Sequence, residues 1–172
     1  QNFNARLPLI QNHPFFKSVN ITRDIDVKLA ASFAGVSLDD FKALNPSAHR
    51  PVMLAGGTPQ ILLPWDSAEI FQRNMLAYEG SLASWTVWVA NKNMKVPDVA
   101  KRYNMSEEEF RQINKIPPRM LIKAGSALLV PRMSHHHTDV SAKLADSGQL
   151  NLAPDVAMRK HIIKARKNDS LV

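Results

Sequence analysis

The 172-residue sequence contains no cysteine. That absence removes disulfides, thiol catalysis and thiolate-held metal in one step, while leaving the cellular compartment open. Long apolar runs are missing as well. Stretches such as Ile61–Leu63 and Leu128–Val130 fall far short of the ~20 apolar residues that a membrane-spanning helix needs. Aromatic residues make up only 7% of the chain and do not alternate with basic ones, so a stacking platform for single-stranded nucleic acid is not expected. Gln1 to Ile10 has neither the basic start nor the apolar centre of a signal peptide. A sequence opening on Gln1 rather than Met reads as processed or trimmed, with any targeting element removed.

What is present is ordinary globular material. The hydrophobic fraction is 45% and the mean hydropathy is −0.22, enough for one domain or two small ones with a real core. The formal charge is +7 with a pI near 9.9, which favours polyanionic partners or surfaces. The basic residues are nevertheless scattered, and their densest group, Arg159 to Lys167, lies near the end of the sequence. A solvated basic surface accounts for this pattern better than a nucleic-acid interface does.

The strongest internal signal is a repeat. Ser37-Leu-Asp-Asp-Phe41-Lys-Ala-Leu44-Asn45 aligns with Ser106-Glu-Glu-Glu-Phe110-Arg-Gln-Ile113-Asn114, 69 residues on. The same offset pairs Val27, Ala30, Ala31 and Ala34 with Val96, Val99, Ala100 and Tyr103, each set forming one face of a helix. Ile61-Leu-Leu-Pro64 then matches Leu128-Leu-Val-Pro131 once the loops differ by two residues. Ser37 and Ser106 are placed to cap a short second helix, with Asp40 and Glu109 three residues later. Phe41 with Leu44, and Phe110 with Ile113, supply its buried stripe. Asn45 and Asn114 suit a left-handed helix exit. Trp85-Thr-Val-Trp-Val89 reads as the opening strand of the second copy, and Val19 to Thr22 as the weaker one of the first. Each copy is therefore expected to be strand, helix, helix, strand.

The flanks are less regular. Residues 1–18 read as a packed arm, and 66–84 as a connecting helix, near Asp66 to Tyr78, plus linker. Residues 133–158 are polar and broken by Ser-Gly and Ala-Pro, and read as linker with a short helix around Val140 to Ala145. His135, His136 and His137 offer imidazoles without a further ligand nearby, so no metal site is expected. His161 to Leu171 reads as a strand and turn, the start of a third unit broken off within residues 159–172.

Laid out in this way, the sequence resembles the LysM family. That family has a strand, a Gly-Asp-Thr/Ser-Leu turn, two helices and a strand closing on an aliphatic residue and Pro. Asn168-Asp169-Ser170-Leu171 is nearest to the family turn; Asn93-Met94-Lys95-Val96 departs from it, and Asp24-Ile25-Asp26-Val27 departs further. The Leu7 to Phe16 segment and the degenerate first copy further resemble the C-terminal region of peptidoglycan lytic transglycosylases. The resemblance implies an α+β fold of tandem βααβ modules at 19–65 and 85–132, following a missing catalytic domain. It implies binding of peptidoglycan strands or N-acetylglucosamine oligomers in a shallow groove of the second module. Its sides would be Asn93, Met94, Lys95 and Val96, and Pro118, Arg119, Met120, Leu121 and Ile122. The first-module equivalents, Asp24 to Val27 and Pro51 to Leu54, are expected to be structural. The implied location is the periplasmic cell envelope, with membrane attachment through a missing N-terminal segment.

No catalytic residue is expected in this chain. The resemblance implies a catalytic Glu followed by Ser, and no such pair occurs. Asp40 and Glu109 serve as helix-cap acids, while Asp24 and Asp26 read as exposed turn carboxylates without the opposed partner that glycoside cleavage needs. No cofactor motif is present.

Overall fold

The computed structural model describes residues 14–57, 60–133 and 138–155. Residues 1–13 of the expected arm, the three consecutive histidines and the expected third unit at 159–172 lie outside them. Two units of the same plan stand in sequence. In the first, β1 (Phe16–Asn20) pairs antiparallel with β4 (Gln60–Pro64), Phe16 opposite Pro64 and Asn20 opposite Gln60. Between them run β2 (Ile25–Asp26), α1 (Val27–Ala34), α2 (Leu38–Leu44) and β3 (Val52–Met53), with β2 and β3 paired. After α3 (Trp65–Ala77), the second unit pairs β5 (Trp85–Val89) with β7 (Ala127–Pro131) around α4 (Val96–Arg102), α5 (Glu107–Asn114) and β6 (Met120–Ile122). Helix α6 (Ala142–Ser147) and β8 (Leu152–Pro154) follow. No helix of the described residues is long and apolar enough to cross a membrane.

The 69-residue offset survives in atomic detail. Ser37 Oγ accepts the Asp40 N–H and Ser106 Oγ accepts the Glu109 N–H, both at 3.1 Å, so both expected caps form. Helix α1 leaves through Gly35 at φ 67° and the chain leaving α4 turns through Asn104 at φ 54°, residue types that tolerate the left-handed region. Val36 N–H then returns to the Ala31 carbonyl, and Met105 N–H to that of Ala100. Phe41 and Phe110 are fully buried at the centre of their respective cores. Truncating either to Ala costs about 3–5 kcal/mol.

Asn45 and Asn114 have another role than the left-handed exit expected of them. Asn45 has φ −124°, and after α5 it is Lys115 that turns left-handed, at φ 54°. The asparagine amides instead clamp the second helix of each unit to its closing strand. Asn45 Nδ2 donates to the carbonyls of Phe41 and Leu62, and its Oδ1 accepts the Leu62 N–H at 2.7 Å. Asn114 makes the same three bonds to Phe110 and Leu129. An amide offers donor and acceptor on one plane, and here it imitates a strand neighbour.

Three segments depart from expectation. Strand β1 runs from Phe16 to Asn20 rather than from Val19 to Thr22, because register with β4 sets Val19 against Ile61 on the core face. Helix α3 is no mere connector. Its Ala68 and Phe71 are fully buried in the first core, Phe71 meets Phe33 edge-on with ring centroids 6.3 Å apart, and Asn74 Nδ2 donates to the Phe33 carbonyl. The polar segment after Met133 is also not a free linker. The short helix expected there is present as α6, displaced to Ala142–Ser147 and capped by Ser141; the unexpected part is β8, which pairs antiparallel with β6. Pairing through backbone groups asks little of the side chains, so polar composition did not prevent it.

The two units pack on each other through a third apolar cluster. Val52 and Leu54 of the first meet Leu129, Trp85 and Val87 of the second, with Val140 and Ala145 filling in from the segment around α6.

Candidate functional site

In the second unit the two nominated loops meet along a backbone bridge. Met94 N–H donates to the Ile122 carbonyl at 2.8 Å and Ile122 N–H returns to Met94 at 2.9 Å. Asn93 Oδ1 accepts the Ala124 N–H at 3.0 Å and fixes one end of the first loop. The other loop is shaped by Lys115 and Arg119, both left-handed, with φ 54° and 58°. Arg111 holds it from below, donating to the Pro117 carbonyl at 2.7 Å while pairing with Glu107. On the far edge of β6, β8 continues the ribbon, and Asp155 N–H reaches the Arg119 carbonyl at 2.8 Å.

The nine nominated residues therefore lie together but face different ways. Asn93, Lys95, Pro118 and Arg119 are exposed; Met94, Met120 and Leu121 are half-buried. Val96 and Ile122 are fully buried in the core, so their side chains are withdrawn from the surface and only their backbone atoms are available there. What the rim offers a ligand is a small apolar surface beside main-chain polar groups. Lys95 is the important position: it caps α4, and its N–H has no hydrogen-bond partner among the described residues.

The first unit repeats the bridge and then closes it. Ile25 pairs with Met53 where Met94 pairs with Ile122, and Asp24 Oδ1 accepts the Ala55 N–H where Asn93 takes that of Ala124. Here, however, the N–H of Asp26, the counterpart of Lys95, donates to the Leu82 carbonyl at 2.8 Å. Both carboxylate oxygens of Asp26 accept the Ser84 N–H at 3.0 Å. The chain between the two units thus lies along the free edge of β2.

Asp24 is not the exposed turn carboxylate expected from the sequence. It is 1% exposed, and it accepts from Ala55, from the Val140 N–H at 2.8 Å and from Arg132 Nη2 at 3.3 Å. Burial pushes its carboxyl above the ordinary carboxylate range, against the pull of the two backbone N–H groups and of Arg132. Arg132 in turn stands 3.6 Å from Asp139, which also meets Arg23. The only sequence signal for this cluster was the pairing of Asp24 with Asn93 at the repeat offset, two short side chains each presenting an acceptor oxygen.

Known families match both units. Residues 15–79 match the model of the LysM-like domain of the lytic transglycosylase MltD, and residues 97–131 match that of the LysM domain. The first match runs past β4 to take in α3, in keeping with the burial of Phe71. No curated protein matches the chain.

Proposed function

We propose that this chain, which is built of two LysM-family modules, binds N-acetylglucosamine-containing peptidoglycan through its second module and holds a lytic transglycosylase on its substrate. LysM domains as a family bind such glycans. The observation that carries the reading to this chain is the contrast at Lys95 and Asp26. The backbone edge that the first module fills with Leu82 is left open in the second. An acetamido carbonyl can accept the Lys95 N–H, and its methyl group can rest on the half-buried Met94 and Leu121. The role implies a cell-envelope location. The periplasmic side, the chain's own catalytic domain as partner, and membrane attachment through a further segment belong to the same proposal.

The test is titration of the isotope-labelled chain with N-acetylglucosamine oligomers, followed by amide resonances. Shifts are expected at Met94–Val96 and Arg119–Ile122, together with co-sedimentation with cell-wall sacculi. An unchanged spectrum around Lys95 would sink the proposal.

A second reading is favoured by the inter-module cluster and the Asp24–Arg132 pair. In it the modules are a rigid spacer, docked on each other or on a catalytic domain, that positions a further module. Intact packing with no glycan response in the same titration would select it.

A further inference from the structure

The first module cannot take the acetamide that the second can, because Leu82 already occupies its backbone donor. The segment that closes it nevertheless builds something else. Continuing past Ser84, it brings Trp85 into the lining of a cleft of about 420 Å³ between the start of α1 and the loop before β3. That volume lies in the ~300–1,000 Å³ range of small-ligand sites. Its walls carry Lys28, Lys42, His49 and Arg50, with Trp85 at one side.

The charges in this cleft are unbalanced. Lys28, Lys42 and Arg50 are exposed, and none of them is in an ion pair among the described residues. The one acid in the lining is Asp26, and both of its oxygens already accept the Ser84 N–H. Three cations from three separate elements (α1, α2 and the loop before β3) therefore face one concave space. Three cations around a single carboxylate leave an excess of positive charge, and an anion entering the cleft relieves the repulsion among them. An indole in the same lining suits the apolar face of a sugar ring, and a guanidinium suits a carboxylate held in two-pronged fashion.

We infer that this cleft of the first module binds the carboxylate-bearing side of a peptidoglycan strand, the lactyl or peptide carboxylates attached to its muramyl residues. The two modules then read different features of one polymer: the second its neutral acetamides, the first its acidic substituents. This inference rests on the peptidoglycan reading of the preceding section.

The experiment uses the whole 172-residue chain and three ligands: a neutral N-acetylglucosamine oligomer, a muramyl-peptide glycan fragment, and the same fragment with its carboxylates amidated. Backbone amides of Lys28 and Arg50 and the Trp85 indole N–H are followed, alongside the Lys95 amide as a reporter of the second module. The acidic fragment is expected to move the first set. Amidation, or the double variant Lys28→Ala with Arg50→Ala, is expected to weaken that response on the order of tenfold. Both substituted side chains are exposed, so folding is checked simply by an unchanged amide spectrum. Equal response to acidic and amidated fragments, or no effect of the double variant, would overturn the inference. So would a short DNA duplex binding the cleft as tightly as the acidic fragment, since that would make it a general polyanion surface. Failure of the neutral oligomer at Lys95 strikes the broader proposal instead, and the two outcomes are read from different resonances.

Discussion

Arg132, just past the last strand of the second module, donates across 3.3 Å to Asp24 in the first, and both side chains are almost wholly removed from water. The pair joins residues 108 positions apart and is completed by the Val140 N–H. Among the described residues, Arg132 Nε has no hydrogen-bond partner of its own. A buried pair of this kind adds little net stability over an apolar replacement, yet it is costly to break from one side. Asp24→Ala is expected to destabilise the chain by about 3–5 kcal/mol, read as a lower midpoint in urea denaturation. The inter-module contact should loosen first, shown by faster amide exchange at Val140.

The same carboxyl gives a pH dependence. Its folded pKa is raised above the ordinary 3.8, with burial the leading cause. The folded state therefore holds this proton more tightly than the unfolded chain does. Its contribution to stability is greatest at acid pH and declines as pH climbs from about 3.8 through the folded value, then stays level. Asp24→Asn cannot titrate but can keep the bond to Ala55, as Asn93 does to Ala124. The difference in stability between wild type and Asp24→Asn should therefore shift toward the variant across that window and be flat above it. A difference that is constant across all acid pH would contradict the assignment.

Asn114→Ala removes three hydrogen bonds and strands the N–H and carbonyl of Leu129, itself 4% exposed. A loss of about 2–3 kcal/mol is expected, with the same direction for Asn45→Ala at Leu62. Asn114→Asp keeps the acceptor and loses both donor bonds, so it should recover only part of the loss. Denaturation midpoints of the three variants decide this.

Gly56 of the first module packs against Ala142, the first residue of α6. A Cβ there would stand 2.5 Å from Ala142 Cα, a contact with backbone that no rotamer can relieve. Gly56→Ala should push α6 away and raise amide exchange across Leu144 to Ser147, while leaving the β5–β7 pair protected. Unchanged protection of α6 would mean the helix does not dock as described.

Lys115 holds the left-handed C-terminal position after α5, at φ 54°. Lys115→Gly is expected to stabilise the chain by about 0.5–1 kcal/mol, seen as a higher melting temperature, because glycine adopts that conformation without strain.

Much of each module was legible in the sequence because it is local. A serine followed three residues later by an acid, and apolar residues at helical spacing, act within one or two turns of chain. Ser37, Ser106 and the stripes of α1 and α4 accordingly appear where their pattern put them. Asn45 and Asn114 show the limit. Their matched positions were plain, but their main partners, Leu62 and Leu129, lie 17 and 15 residues away, and a distant backbone group leaves no mark near the asparagine.

The sequence alone determined that there are two copies of one βααβ plan, where their helices begin, and that Phe41 and Phe110 anchor the two cores, since burial periodicity and capping are properties of short segments. Only the tertiary structure decided that α3 belongs to the first core, that the polar stretch after Met133 folds back, and that the two modules share a buried charge pair. It also decided which of two equivalent backbone N–H groups finds a partner. Lys95 and Asp26 hold equivalent places in the repeat, and what separates them is a carbonyl from Leu82, a backbone atom whose identity is the same in every residue type. Position in space, not composition, makes that difference.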